Sequence, residues 1–240
     1  DQELADHAAR EFGGNASSVI GCDAEIGYES KVEADASPDG RPGAAVLVFA
    51  FSRSALEEAI ASRVGQNILT CPTTACFAGL PFVDKAKQIK LGAMLRFFGD
   101  GFQISKKLDS RRYWRIPVMD GEFLCDDVVD TVKGVGGGNL IVTAESQEKC
   151  LSAVRKAVIA IQEVPNVILP FPTGIVRSGS KVGSKYKPLK ASTNDPWCPT
   201  LVGQTETKLK EGENSVYEIV IDGLTEAVAA RIGTIPPVTV

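Results

Sequence analysis

The chain has 240 residues, 44% of them apolar, with 26 Lys and Arg against 30 Asp and Glu for a formal charge of −4. That length suits one large domain or two lobes of about 100 to 130 residues. The longest apolar run, Ala44–Phe51, is too short for a bilayer and no charged-then-apolar leader precedes it, so a cytoplasmic protein that touches no membrane is expected. A lone histidine, His7, leaves two-histidine zinc sites, Ser-His-Asp triads and Cys-His pairs little to build on, and six scattered cysteines without a CxxC read as reduced and buried. Any chemistry must come from carboxylates, lysines, hydroxyls or backbone.

In chain order, Asp1–Phe12 reads as the inside of a helix. Residues 15–40 are polar and turn-rich and end in the turn signal Ser37-Pro38-Asp39-Gly40. Ala45–Phe51 is a strand candidate, and Ser52 is placed to cap a helix through Arg63 whose Leu56, Ala59 and Ile60 share one face. Gln66–Thr70 is expected as a short strand, broken by Cys71-Pro72-Thr73-Thr74, a hydroxyl-rich loop that either caps the next turn or meets a ligand. Leu91–Phe98 and Arg112–Val118 are expected as strands, joined across Gly99-Asp100-Gly101 and a polar connection.

Gly134–Gly138 precedes a strand, Asn139–Ala144, and opens no helix; this excludes a dinucleotide fingerprint and suggests a hinge or tight turn. Ser146 then begins a helix through about Glu163, with Leu151, Val154, Val158 and Ile161 on its buried face. Val164–Leu169 and Ser215–Asp222 are strands, and Leu224–Ile232 a further helix. The expected fold class is α+β, in two lobes of similar build: residues 1–130, and residues 131–240 with the basic loop and the candidate catalytic strand. The tripeptide Cys71-Pro72-Thr73 recurs as Cys198-Pro199-Thr200.

Between the last two strands lies an unusual stretch. Residues 164–194 carry Arg177, Lys181, Lys185, Lys187 and Lys190 and no Asp or Glu. That window is +5 in a chain of −4, so the remainder is −9. Interspersed glycines and the hydroxyls of Ser178 and Ser180 suit a loop that wraps carboxylates or phosphates. A P-loop fails, because Gly174 and Gly179 are followed by Ser180-Lys181 where Gly-Lys-Ser/Thr is needed. Nucleic-acid binding through the same lysines with Phe171, Tyr186 and Trp197 is weakened by a pI near 5.2.

The run Pro170–Leu201, together with Pro38–Gly43, Val64–Ala75, Leu95–Gly101, Arg115–Phe123, Gly136–Asn139 and Val216–Gly223, resembles the formylmethanofuran:tetrahydromethanopterin formyltransferase family, including its bacterial form, which is one component of a formyltransferase/hydrolase complex. The blocks are collinear across nearly the whole chain. The resemblance implies two ferredoxin-like lobes, an oligomer (a tetramer, or a complex with hydrolase subunits), and a longer polypeptide at both ends. It implies transfer of a formyl group between N5 of tetrahydromethanopterin and the amine of methanofuran, in formaldehyde oxidation, with both carriers as substrates and no permanently bound cofactor or metal. Where the family has Gly, this chain has Thr173, a departure expected to alter the loop's turn.

Strand alternation puts Glu218 on one face with Val216 and Val220, apolar neighbours that disfavour a carboxylate's charged form and suit a general acid/base. On the residues alone, an edge-strand Glu paired with a lysine competes with that role. The resemblance favours catalysis, because the family's functional glutamate lies in the matching block. Lys181, Lys185 and Lys190 are the expected contacts to the carboxylate-bearing tails of the carriers, and Thr73, Thr74, Ser178 and Ser180 the expected donors around the reacting formyl group. A non-catalytic scaffold subunit with the same fold is the main alternative.

Overall fold

The computed structural model describes residues 1–80 and 88–225. Two compact units emerge: Asp1–Asn15 with Asp23–Lys133, and Ala16–Cys22 with the chain from Gly134 onward. Both mix helix and strand, an α+β fold.

The first unit opens with α1 (Gln2–Phe12), whose N-cap is Asp1, the side chain accepting from the Leu4 N–H at 3.0 Å. Strand β1 (Glu25–Val32) pairs antiparallel with β2 (Gly43–Phe49), with a bulge between Tyr28 and Ser30. The polar stretch before Gly40 thus holds a strand that its composition hides, while the Ser37–Gly40 turn forms as expected, closed by Gly40 N–H to Ser37 C=O at 3.2 Å. Helix α2 (Arg53–Arg63) is capped by Ser52, which accepts from Ala55 N–H at 3.2 Å. The strand expected at Gln66–Thr70 does not form. The helix instead widens into a π turn, Val64–Ile68, closed by Leu69 N–H to Val64 C=O at 2.8 Å.

Short strands β3 (Ala75–Cys76) and β4 (Gln88–Ile89) follow. The next element corrects a second expectation: Leu91–Phe98 is not a strand but helix α3 (Leu91–Leu95), continued as a 3-10 turn, Arg96–Gly99. Tertiary packing decides this. Gly92 donates its N–H to Asp127 C=O at 3.0 Å, and a Cβ there would lie 2.4 Å from Trp114 Cδ1. The polar connection after it is itself strand β5 (Ile104–Leu108), which with β6 (Arg111–Val118), β7 (Gly121–Asp126) and β3 makes a four-stranded sheet ordered β3-β7-β6-β5. Strand β8 (Val129–Asp130) pairs with β4. Ile89, Leu91, Ile116 and Phe123 are almost wholly buried in this unit.

In the second unit β9 (Val135–Ala144) includes the glycines expected as a hinge. They are part of the ladder: Gly138 faces Ile221, and its missing side chain lets the Ile221 carbonyl approach to 3.2 Å from where a Cβ would be. Helix α4 (Gln147–Gln162), capped by Ser146 on Lys149 N–H at 3.3 Å, packs on the sheet. The expected strand at Val164–Leu169 shrinks to β10 (Val167–Ile168). Strands β11 (Lys181–Val182) and β12 (Ala191–Ser192) form a small hairpin, and β13 (Ser215–Gly223) is the centre of a sheet ordered β10-β13-β9. Ile219 and Ile221 point to α4 and meet Val154, Val158 and Ile161, each such burial being worth about 1.5–3 kcal/mol. The other face of β13 carries Val216, Glu218, Val220 and Asp222.

Of the helix expected at Leu224–Ile232, all beyond Thr225 lies outside the described residues. Among those described, no helix is long and apolar enough to cross a membrane.

Candidate active site

Glu218 occupies the central strand, so an edge-strand pairing with lysine does not arise. Its backbone exchanges two hydrogen bonds with Val176, at 2.7 and 2.9 Å, which fixes the loop after β10 along one side of β13. On the other side β9 sets Ile141 opposite Glu218 and Asn139 opposite Val220, so Asn139 is the diagonal neighbour on the same face. The Glu218 side chain is buried, with 2% of the residue exposed. Its Oε1 accepts from Asn139 Nδ2 at 2.5 Å and from Ser180 Oγ at 2.5 Å, and Asn139 Nδ2 also donates to Ser180 Oγ at 2.7 Å. Oε2 is buried and has no hydrogen-bond partner among the described residues.

Two residues beyond Val220 on the same face, Asp222 is wholly buried and its Oδ1 accepts from Gly137 N–H at 2.8 Å. That N–H is available because Gly137 has φ +75 where the register shifts between Ile221 and Gly223. Glu218 also opens on a small recess bounded by Ile141, Val216, Arg177, Ser178 and Trp197.

Of the expected contacts, the structure joins Ser180 to Glu218. Ser180 therefore directs its proton to the carboxylate, not to a substrate. Thr74 points its hydroxyl at the carbonyls of Ile68 and Cys71, at 2.5 and 2.9 Å, and so caps the turn. Thr73, in the first unit with Thr74, has a left-handed backbone, φ 59, held by its N–H to Asp120 Oδ2 at 2.8 Å and by Arg41 on its carbonyl. Among the described residues Ser178 reaches only its neighbour's carbonyl, Gly179, at 3.4 Å. Thr73 and Ser178 are thus the candidates whose hydroxyls are least committed.

The basic loop is the β11–β12 hairpin and its flanks. Lys181 is engaged by Asp195, the first acid beyond the acid-free window, and this ammonium holds the Asp195 carboxyl below the usual carboxylate range, with Lys185 adding at longer distance. Arg177, Lys187 and Lys190 form no ion pair among the described residues, and with Lys185 they are exposed. Thr173 keeps a tight turn despite its side chain: its φ is 59, the left-handed region that glycine favours, and Gly174 N–H closes on Phe171 C=O at 2.8 Å. Thr73, after Pro72, has the same φ of 59. Among the described residues no three His, Cys, Asp or Glu side chains gather where they could hold a metal ion.

The chain matches the family description "Formylmethanofuran-tetrahydromethanopterin formyltransferase" over residues 1–118 and "FTR, proximal lobe" over residues 121–234. It is 54% identical over 227 residues to the formylmethanofuran–tetrahydromethanopterin formyltransferase of Methylococcus capsulatus, covering 95% of this chain and 75% of the relative. The chain belongs to the formylmethanofuran–tetrahydromethanopterin formyltransferase family. Among solved members, the formyltransferase/hydrolase complex from Methylorubrum extorquens, crystallised with methylofuran, superposes with a TM-score of 0.91 at 50% identity, over 96% of this chain and 76% of that one. The Methanosarcina barkeri formyltransferase gives 0.88 at 41%, over 98% and 82%. Both likenesses support the two-lobed α+β fold. Asn139 is the partner of the candidate Glu218 that residue-by-residue reading missed. The Gly136–Asn139 block pointed to Asn139 only as a family mark, since no local pattern announces which strand will lie beside Glu218.

Proposed function

We propose that this chain transfers a formyl group between N5 of formyl-tetrahydromethanopterin and the primary amine of methanofuran, in one-carbon metabolism, with Glu218 as the acid/base. Family membership supports the reaction, and one observation supports the residue: a carboxylate 2% exposed on a central strand, held by two donors at one oxygen and by none at the other among the described residues. The amine attacks the formyl carbon, the bond from that carbon to N5 breaks with its electron pair passing to N5, and one proton must move from the attacking nitrogen to the departing one. Glu218 can accept it and return it. Backbone N–H groups and the hydroxyl of Ser178, which lines the recess beside Glu218, are the donors proposed for the oxyanion of the tetrahedral intermediate, and Thr73 is proposed separately as a substrate contact of the first unit.

Lys185 and Lys190, with Lys187, are proposed to meet the carboxylate tails of the carriers, and Lys181 to shape the hairpin through Asp195 while adding to its field. The chain is proposed to work as an oligomer, as a tetramer or with hydrolase-complex subunits; the crystallised Methylorubrum relative is such a complex. Light scattering that found only monomer would remove that part.

The test of the reaction and the residue is Glu218→Gln, which keeps size and the acceptor facing Asn139 but cannot exchange a proton. General acid/base catalysis is worth about 10²- to 10⁴-fold, so kcat should fall by that order while KM stays within a few-fold and the melting curve is retained. Near-normal kcat would sink Glu218 as the proton carrier. Formyl transfer absent from the unaltered, assembled protein would favour the scaffold alternative.

A further inference from the structure

The three side chains at Glu218 close a ring, and the chemistry of their atoms fixes the direction of every bond in it. An amide nitrogen can only donate and an ionised carboxylate can only accept. Asn139 Nδ2 stands 2.5 Å from Glu218 Oε1 and 2.7 Å from Ser180 Oγ, so it is the donor to both atoms. Ser180 must then receive from Asn139 and send its single proton to Oε1, 2.5 Å away. Oε1 therefore accepts twice. A proton placed on Oε1 would face two donor hydrogens, so in the neutral form of Glu218 the proton belongs on Oε2, which is buried and has no partner among the described residues.

We infer that Asn139 is a positioning residue for the formyl transfer: it anchors Oε1 directly and through Ser180, and so makes Oε2 the single oxygen of Glu218 that exchanges the proton. This rests on the reading of Glu218 as the acid/base. In the step itself, the amine lone pair forms the new bond to the formyl carbon, the amine proton passes to Oε2, the bond to N5 breaks with its pair going to N5, and Oε2 hands that proton to N5. Nothing is oxidised and no co-reactant is needed. Asn139 is suited to the task by its register, diagonal to Glu218 across β9 and β13, and by having two donor hydrogens on one planar group. Without it, Ser180 alone holds Oε1, and the carboxyl can rotate so that its oxygens exchange places.

A double-mutant cycle separates this from its premise. Asn139→Ala, Ser180→Ala, Glu218→Gln and Asn139→Ala/Glu218→Gln are assayed for formyl transfer with both carriers, with melting curves on the same samples. Misplacing a reacting group by about 1 Å can cost about 10²-fold, so Asn139→Ala should lower kcat by roughly 10- to 100-fold with KM within about twofold. Ser180→Ala should fall between it and the unaltered protein. In the Glu218→Gln background Asn139→Ala should add less than about twofold, because the group it positions no longer moves a proton. An impaired Glu218→Gln beside an Asn139→Ala of normal kcat overturns the inference and leaves Glu218 standing; so does an equal penalty for Asn139→Ala in both backgrounds. A fully active Glu218→Gln removes the premise. Should Asn139→Ala melt early, Ser180→Ala interrupts the same ring from its other member, and normal kcat there overturns the relay.

Discussion

Replacing Thr173 by glycine should make the protein more stable, although glycine usually does the opposite. Thr173 sits at φ 59, ψ 8, where its Cβ crowds the following carbonyl, and it is β-branched. The turn cannot relax by shifting the burden to its neighbour: Gly174 is itself left-handed at φ 73, is buried, and would carry any Cβ to 2.9 Å from Leu169 Cδ1 and 3.2–3.3 Å from the Val158 methyls. A non-glycine residue in the left-handed region costs about 1–2 kcal/mol, while a new glycine adds about 0.5–1 kcal/mol of unfolded-chain entropy against folding. The Thr173 side chain is exposed and makes no hydrogen bond among the described residues, so little else is lost. The net is a gain of about 0.5–1 kcal/mol, or roughly 1–4 °C for a chain of this size. Thermal unfolding of Thr173→Gly should be compared with Thr173→Ala, which keeps a Cβ at positive φ and should melt close to the unaltered protein. A Thr173→Gly that melts lower would refute the strain argument, as would an alanine variant that gains as much as the glycine one.

Lys185→Ala with Lys190→Ala should raise KM for the carboxylate-tailed carrier and flatten its salt dependence with kcat nearly unchanged, since remote charge acts alike on ground and transition states; an unaltered KM would give the hairpin another job. Asp195→Asn should do the reverse, lowering KM at low salt, because it releases Lys181 from its ion pair; a KM that stays put or rises would show that the pair does not hold Lys181 back from the carrier. Packing pushes the Cys76 thiol up to about 12, with Asp126 adding, and pushes Cys125 further still, while Cys150 is buried and also raised. A thiol reagent at pH 8 should therefore modify these three only after unfolding, and native-state labelling located by mass spectrometry would contradict that.

What could be read from the sequence was what is decided locally. Ser52 and Ser146 announce α2 and α4 because capping and apolar spacing act within a few residues, and both serines do accept from the third residue onward. Leu91–Phe98 failed for the opposite reason. Its composition suits a strand, but its first turn is coiled against β7, with Gly92 wedged beside Trp114 and the Asp126 carbonyl, a contact between residues more than twenty positions apart. Gly134–Gly138 failed in the same way: what looks like flexibility along the chain is a close approach across it, to Ile221 and Asp222.

The site divides along that line as well. Alternation along β13 placed Glu218 on a face with Val216 and Val220, and that is local. Its partners lie 79 and 38 positions away, and only strand pairing brings them there. Their arrangement also supports the proposed acid/base role over a scaffold role. A subunit that only preserved a shape would have its stabilising core on the opposite face, at Ile219 and Ile221, and would gain from Glu218 only the two bonds at Oε1, against a buried Oε2 with no partner among the described residues; an unsatisfied buried polar atom costs about 1–3 kcal/mol, more when charged. An apolar residue there would serve a scaffold better, because it would leave no oxygen without a partner. An acid/base needs what a scaffold should discard, one oxygen held and the other left open to a proton.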